Sequence, residues 1–383
     1  MSTKNFAIDK KVGLFAIHDT GAPDGRNDYK TLVILHGLAW SREIFARLLP
    51  MAPQFNARII LVNRRDYPGS TPLDDSDRKN LSSFNSSTAE AAQNIRSYMR
   101  DRARDVYDFL CELVAAECIP GVSDGGGIIM AAWSFGGSLI TALLAYLKTF
   151  EVPDVVLGEY IRRFILLDPH YHILGFPRCP GLFSPIEDPS LSPSEGLAKF
   201  PEWVSGFYSH TLSPSFPISA VESSTWNAIS LAKPPPTFLT LSPQDVEVTV
   251  CAEPALPEGS DGVLFEAGQR LGLFEEMRKN VFSAVAEVEL GSCSRALDSV
   301  REKAKGWWMD VEIRVIWCDH SPFSMPWGIQ ELYKYLEDAK AAGIAREGEV
   351  NIVRMRGANH FPHWEDPERT LRALLAEDNM VEP

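Results

Sequence analysis

The sequence has no C-x-x-C pair. Its six cysteines, Cys111, Cys118, Cys179, Cys251, Cys293 and Cys318, fall at spacings that suit neither a structural metal nor a redox dithiol, and buried free thiols are the expectation. No uninterrupted apolar run approaches eighteen residues, so no segment reads as a membrane span. No apolar stretch of signal-peptide length precedes Asp9, Lys10 and Lys11, and the final residues are not a peroxisomal S-K-L address. A cytoplasmic protein is therefore expected. Positive charge is in deficit: 37 Lys and Arg against 51 Asp and Glu give a formal net charge of −14. Such a field repels nucleic acid and anionic membrane surfaces, though a local basic patch can still bind an anion. Gly125, Gly126 and Gly127 are not followed by G-K-[ST], so they form a flexible turn and not a phosphate loop. The oligomeric state stays open.

With 45% hydrophobic and 23% charged among 383 residues, the chain describes one large globular unit or a core with a sizeable insertion. Residues 6–8 and 13–18 read as an antiparallel edge pair, and residues 20–25 as a turn. Apolar, β-branched runs at 31–35, 58–62, 128–133, 164–167, 311–317 and 351–355 read as buried strands. Between them, 42–49, 137–147, 329–339 and 367–375 have helical spacing. In residues 88–116, Ile95, Met99, Val106, Leu110 and Leu113 form the apolar stripe of an amphipathic helix. From about 175 to 306 the alternation stops. Prolines 177, 180, 185, 189 and 193, then 234–236, separate helix-like pieces such as 198–208 and 264–281. This stretch is an insertion. Its Trp203, Phe207, Tyr208, Trp226 and Phe238 either line an apolar pocket or form the insertion's own small core.

Three segments carry chemistry. Ser134 stands in Ala132, Trp133, Ser134, Phe135, Gly136, where a strand turns sharply into a helix and small neighbours let the two pass closely. The run 31–35 ends in His36 and Gly37, and the run 351–355 leads through Gly357 to His360. A serine hydroxyl is a weak nucleophile at neutral pH, so it needs an imidazole to take its proton and a carboxylate to orient that imidazole.

In these motifs and their order the chain resembles the α/β-hydrolase family, from about residue 6 to residue 375. The usual G-x-S-x-G has Ala132 in place of its first glycine. The resemblance implies a mostly parallel eight-stranded sheet flanked by helices, with a core of residues 1–174 and 307–383 and a helical lid of residues 175–306. It implies Ser134 as nucleophile, His360 as base, and the backbone N–H groups of Leu38 and Phe135 as oxyanion donors. The acid has two candidates. In the family's W-G-x-x-D-P pattern Ser321 takes the acid's position and Asp319 lies two residues early; Asp168, directly at a strand exit between Leu167 and Pro169, is preferred. His36 is expected to brace the oxyanion loop, His363 to be a surface or supporting residue, and Arg64 and Arg65 to tie loops together. The resemblance implies no cofactor, and cleavage of an ester, thioester or lactone of a small apolar molecule through an acyl-enzyme. Carbon–carbon bond hydrolysis and a slow-turnover small-molecule receptor are the alternatives. Relatives with an aspartate nucleophile are disfavoured by Ser134.

Overall fold

The computed structural model describes residues 7–82, 88–150, 155–212, 225–283, 307–346 and 348–377. Eight strands form one sheet: β1 (Ile8–Val12), β2 (Phe15–Asp19), β3 (Lys30–Leu35), β4 (Ala57–Asn63), β5 (Ile128–Trp133), β6 (Ile161–Leu167), β7 (Glu312–Cys318) and β8 (Val350–Met355). Their order is β1-β2-β4-β3-β5-β6-β7-β8. The pairings of β1 with β2 and β2 with β4 are antiparallel and the rest are parallel.

The central strands β4 and β5 are buried at every position. Side chains alternate across a strand, so burial at consecutive positions requires cover on both faces, and this is why 32–35, 59–62, 128–133 and 164–167 read as unbroken apolar runs. The 3₁₀ segment Arg42–Phe55 packs with the helix Pro367–Leu375, while the helix Thr88–Glu117 packs with Gly137–Tyr146. At the edge, the expected pair 6–8 with 13–18 is corrected to Ile8–Val12 with Phe15–Asp19, turned at Gly13 with φ 52°. Lys10 and Lys11 belong to the strand: Lys11 faces solvent, as suits a sheet edge, and half-buried Lys10 pairs with Asp19 and Glu117. Phe6 lies outside the described residues.

Between β6 and β7 the chain leaves the sheet. Two of its helices begin at prolines, Pro193–Val204 and Pro243–Thr249, each behind a serine cap: Ser192 pairs with Glu195 and Ser242 with Asp245. Proline has no N–H to lose at the first helical position, so Pro193, one of the prolines that suggested irregularity, starts a helix, as does Pro243. The expected helix 264–281 is two helices, Ser260–Arg270 and Leu273–Phe282, separated at Gly272 with φ 72°. This excursion lies over the carboxyl ends of the strands. Ser41 donates to the Thr249 carbonyl at 2.7 Å, Tyr208 to that of His320 at 2.8 Å, and Asn359 Nδ2 to that of Ser205 at 2.7 Å. Among the described residues no helix is long and apolar enough to cross a membrane.

Of the cysteines, Cys179 and Cys318 are buried, Cys111 and Cys251 half-buried and Cys118 exposed, so the expectation of uniform burial is corrected. All five are unpaired; Cys293 lies outside the described residues. Cys118 ends the long helix with φ 49°, at the surface where helices turn back.

Candidate active site

Ser134 follows β5 directly and has φ 53°, a left-handed conformation that a side chain adopts only when its surroundings impose it. The surroundings are tight. A Cβ on Gly136 would lie 2.4 Å from the His36 carbonyl oxygen, so only glycine fits there. A Cβ on Gly37 would lie 3.0 Å from that of Ser134, which presses the loop after β3 against the serine. Ala132 pairs with Leu35 on one side and Leu166 on the other and is fully buried, so its methyl group is absorbed within the sheet.

Asp168, at the end of β6, also has positive φ, 47°, and no exposed surface. Its Oδ2 lies 2.6 Å from His360 Nδ1 and accepts from the Ser321 hydroxyl at 2.5 Å, while Oδ1 accepts from the Cys318 amide at 2.8 Å. A carboxylate only accepts, so this contact assigns the proton to His360 Nδ1 and turns Nε2 away from the acid. Trp133, the residue before Ser134, donates through its indole to the His360 carbonyl at 2.8 Å, and the two rings lie 4.8 Å apart. The imidazole is thereby held beside the serine turn. Asp319 has other partners: it accepts from Arg354 at 2.9 and 2.7 Å and from the Gly357 amide at 2.6 Å. It braces the loop that carries His360 without touching the ring.

Two further histidines from the motif loops have other surroundings. His36 Nε2 accepts from the Arg64 amide at 3.1 Å, so Nδ1 carries the proton and donates to the Gly37 carbonyl at 3.0 Å. Burial, reinforced by the Arg64 charge, holds His36 well below the usual histidine pKa and therefore neutral. His363 is not at the surface. It is fully buried against Phe45, Trp133 and Phe361, because Pro362 starts a one-turn helix, Pro362–Glu365, that rotates it inward. Neither ring nitrogen has a partner among the described residues, and burial keeps it neutral as well. Leu38 lies in the turn after β3, and its amide donates to no acceptor among the described residues.

The Alpha/beta hydrolase family matches residues 32–373. The chain belongs to that family. No curated protein matches it. Among solved structures this alpha/beta hydrolase is similar to a loop variant of a haloalkane dehalogenase from Bradyrhizobium elkanii, with 13% identity, 94% of this chain and 91% of that chain covered, and a TM-score of 0.46. It is also similar to a laboratory-evolved variant of a potato epoxide hydrolase, with 12% identity, 96% and 97% covered and a TM-score of 0.45. An epoxide hydrolase from Vigna radiata matches with 14% identity, 97% of each chain covered and a TM-score of 0.42.

In this alpha/beta hydrolase a cavity of about 490 Å³ opens beside Leu38; its lining joins apolar Ile186, Leu191, Leu197 and Phe265 to charged Arg178, Glu187, Asp188, Glu266 and Arg270. Phe265 also faces Phe135, with ring centroids 6.0 Å apart. None of the five aromatic residues singled out in the insertion lines this cavity. Trp203 packs on Phe200, Tyr208 and Phe323, Phe207 is buried, Phe238 packs on Trp40, and Trp226 meets His210. They pack within the excursion and between it and the core, and the cavity's aromatic rings are Phe265, from the helix Ser260–Arg270, and His172 stacked on it. Among the described residues no group of three His, Cys, Asp or Glu could hold a metal ion. Sequence reasoning missed Ser321 as a partner of the acid. The signal was present, since the family register set Ser321 on the acid's own position.

Proposed function

We propose that this hydrolase is a serine esterase-type enzyme that cleaves an ester, thioester or lactone of a small, largely apolar molecule through an acyl-enzyme. Ser134 attacks the carbonyl, His360 takes the hydroxyl proton through Nε2 and returns it to the leaving group, and Asp168 holds the imidazole in the Nδ1–H tautomer and stabilises it when charged. The Leu38 and Phe135 amides meet the developing oxyanion. Residues 175–306 act as a lid on a core of residues 1–174 and 307–383, and no cofactor takes part. The observation that carries this reading is the 2.6 Å contact between the Asp168 carboxylate and His360 Nδ1 beside a serine with φ 53°. Leu38, Leu191, Leu197 and Phe265 give the cavity an apolar side beside Leu38, which supports an apolar acyl part, while Arg178, Glu187, Asp188, Glu266 and Arg270 line the rest. Five unpaired cysteines fit a cytoplasmic, reducing setting. The serine at the turn separates this reading from hydrolases that attack with aspartate.

A fluorophosphonate probe is expected to label Ser134 in the wild type and to leave Ser134→Ala unmodified, with hydrolysis of short p-nitrophenyl esters abolished in the variant. Near-wild-type turnover in Ser134→Ala would refute the assignment. Asp168→Asn is expected to lower kcat by roughly ten-thousandfold, as in a comparable triad. Asp319→Asn, which loosens only the histidine loop, is expected to cost far less; the reverse ranking would return the acid's role to Asp319.

A further inference from the structure

We infer that Asp261, acting through Arg64, is a positioning residue for the oxyanion-binding amide of Leu38, so that the excursion between β6 and β7 completes the catalytic apparatus as well as covering it. This rests on the serine-hydrolase reading. The peptide joining Gly37 to Leu38 is planar, so the direction of its carbonyl dictates the direction of its N–H. That carbonyl is held by two donors, Arg64 Nη2 at 2.9 Å and His36 Nδ1 at 3.0 Å, in a loop already pressed against Ser134. With the oxygen fixed, the Leu38 amide cannot swing. The next peptide is held by the same group of side chains, because the Ala39 amide donates to the Tyr67 hydroxyl at 3.3 Å and Tyr67 donates to Asp261 Oδ2 at 2.7 Å.

What holds Arg64 comes from outside the sheet. Asp261, in the helix Ser260–Arg270, grips the guanidinium at both ends, Nη1 to Oδ1 at 2.8 Å and Nη2 to Oδ2 at 2.5 Å, across 197 positions of chain. Both side chains are more than nine-tenths buried. A buried guanidinium is fully charged, and its charge behind the Gly37 oxygen polarises the peptide and strengthens the Leu38 N–H as a donor. Without the carboxylate, Arg64 is a buried charge with no counterion, and it turns toward water or another acceptor and releases Gly37. The planar fork is essential here, since its two terminal nitrogens hold the two Asp261 oxygens separately while Nη2 also reaches the Gly37 carbonyl.

The test compares wild type with Asp261→Asn using a p-nitrophenyl ester, a boronic acid that adds the Ser134 oxygen to boron and becomes a tetrahedral anion, and the carboxylate product as a ground-state ligand. Asp261→Asn is expected to fold, to lose on the order of a hundredfold in kcat and a like factor in boronate affinity, and to keep its KM and its affinity for the product. Wild-type kcat and boronate affinity in folded Asp261→Asn would overturn the inference while leaving Ser134 as the nucleophile. Failure of the fluorophosphonate to label wild-type Ser134 would instead sink the hydrolase reading on which the inference rests. Should Asp261→Asn not fold, Arg64→Lys decides: it keeps a paired buried charge but cannot bridge Asp261 and Gly37 as the fork does. A paired loss of kcat and boronate affinity in Arg64→Lys supports the coupling, and unchanged values end it.

Discussion

Ser321 hands its hydroxyl proton to a carboxylate that is wholly buried and also serves His360 and the Cys318 amide. A hydrogen bond to a charged group contributes about 1.5–3 kcal/mol, and a buried acceptor left short of a donor has no water to turn to. Ser321→Ala is therefore expected to lower the unfolding free energy by about that amount, measured by denaturant titration at neutral pH. An unchanged midpoint would show that the Asp168 carboxylate does not depend on this donor. The same residue shows how far the motif could be read. The family register placed a serine where an acid belongs; the carboxylate that contacts His360 comes from the neighbouring strand end, and the serine contacts it. Asp319, nearer to the expected position, is drawn off by Arg354 and Gly357. Strand periodicity says nothing about which of two strand exits leans toward a loop forty or more residues away.

At the scale of elements, the pattern in 264–281 ran through a break because Leu271 and Leu273 keep the apolar spacing on either side of Gly272. The helix Ser260–Arg270 stops where Gly272 enters the left-handed region at φ 72°, and the next helix leaves in a new direction. A Cβ there meets nothing within 4 Å, so the cost of a side chain is conformational and not steric. Gly272→Ala is expected to destabilise by about 1–2 kcal/mol, read as a lower melting temperature with retained activity. A gain in stability would mean that the two helices fuse without strain. The break matters because it lets Ser260–Arg270 present Asp261 and Phe265 over the active-site loops while Leu273–Phe282 packs back against the helix Gly137–Tyr146. The serine caps before Pro193 and Pro243 were equally visible as residues, but proline clusters read as loop until a capped helix follows them.

Across the whole molecule, neutral histidines are buried in several places. Burial, aided by the Arg42 charge, lowers His18 to about 4, and burial holds His36, His170 and His363 well below their ordinary value. In the unfolded chain each titrates near 6.5. Above that pH both states are neutral and these groups add no pH dependence. Below it the unfolded chain takes up protons that the folded chain refuses, so stability falls as pH falls, by up to about 1.4 kcal/mol per pH unit for each histidine until its folded-state pKa is reached. Denaturant titrations from pH 7.5 to 5 are expected to show a steep decline starting near 6.5, made shallower by His363→Phe, which replaces two unpartnered nitrogens among Phe45, Trp133 and Phe361. A flat profile would mean that these rings take up protons in the native protein as readily as in the unfolded chain. The burial of His363 was not legible from its neighbours, since a histidine after a proline reads equally as surface. The sequence alone determined the alternation of strand and helix, the turn at Ser134 and the loops carrying His36 and His360, because these depend on side-chain periodicity and backbone sterics within a few residues. Only the tertiary structure decided which carboxylate meets His360, which rings wall the cavity and how Asp261 reaches Arg64. Each of those is a hydrogen bond or contact between distant segments, and its geometry depends on strand register and on the path of the chain between them.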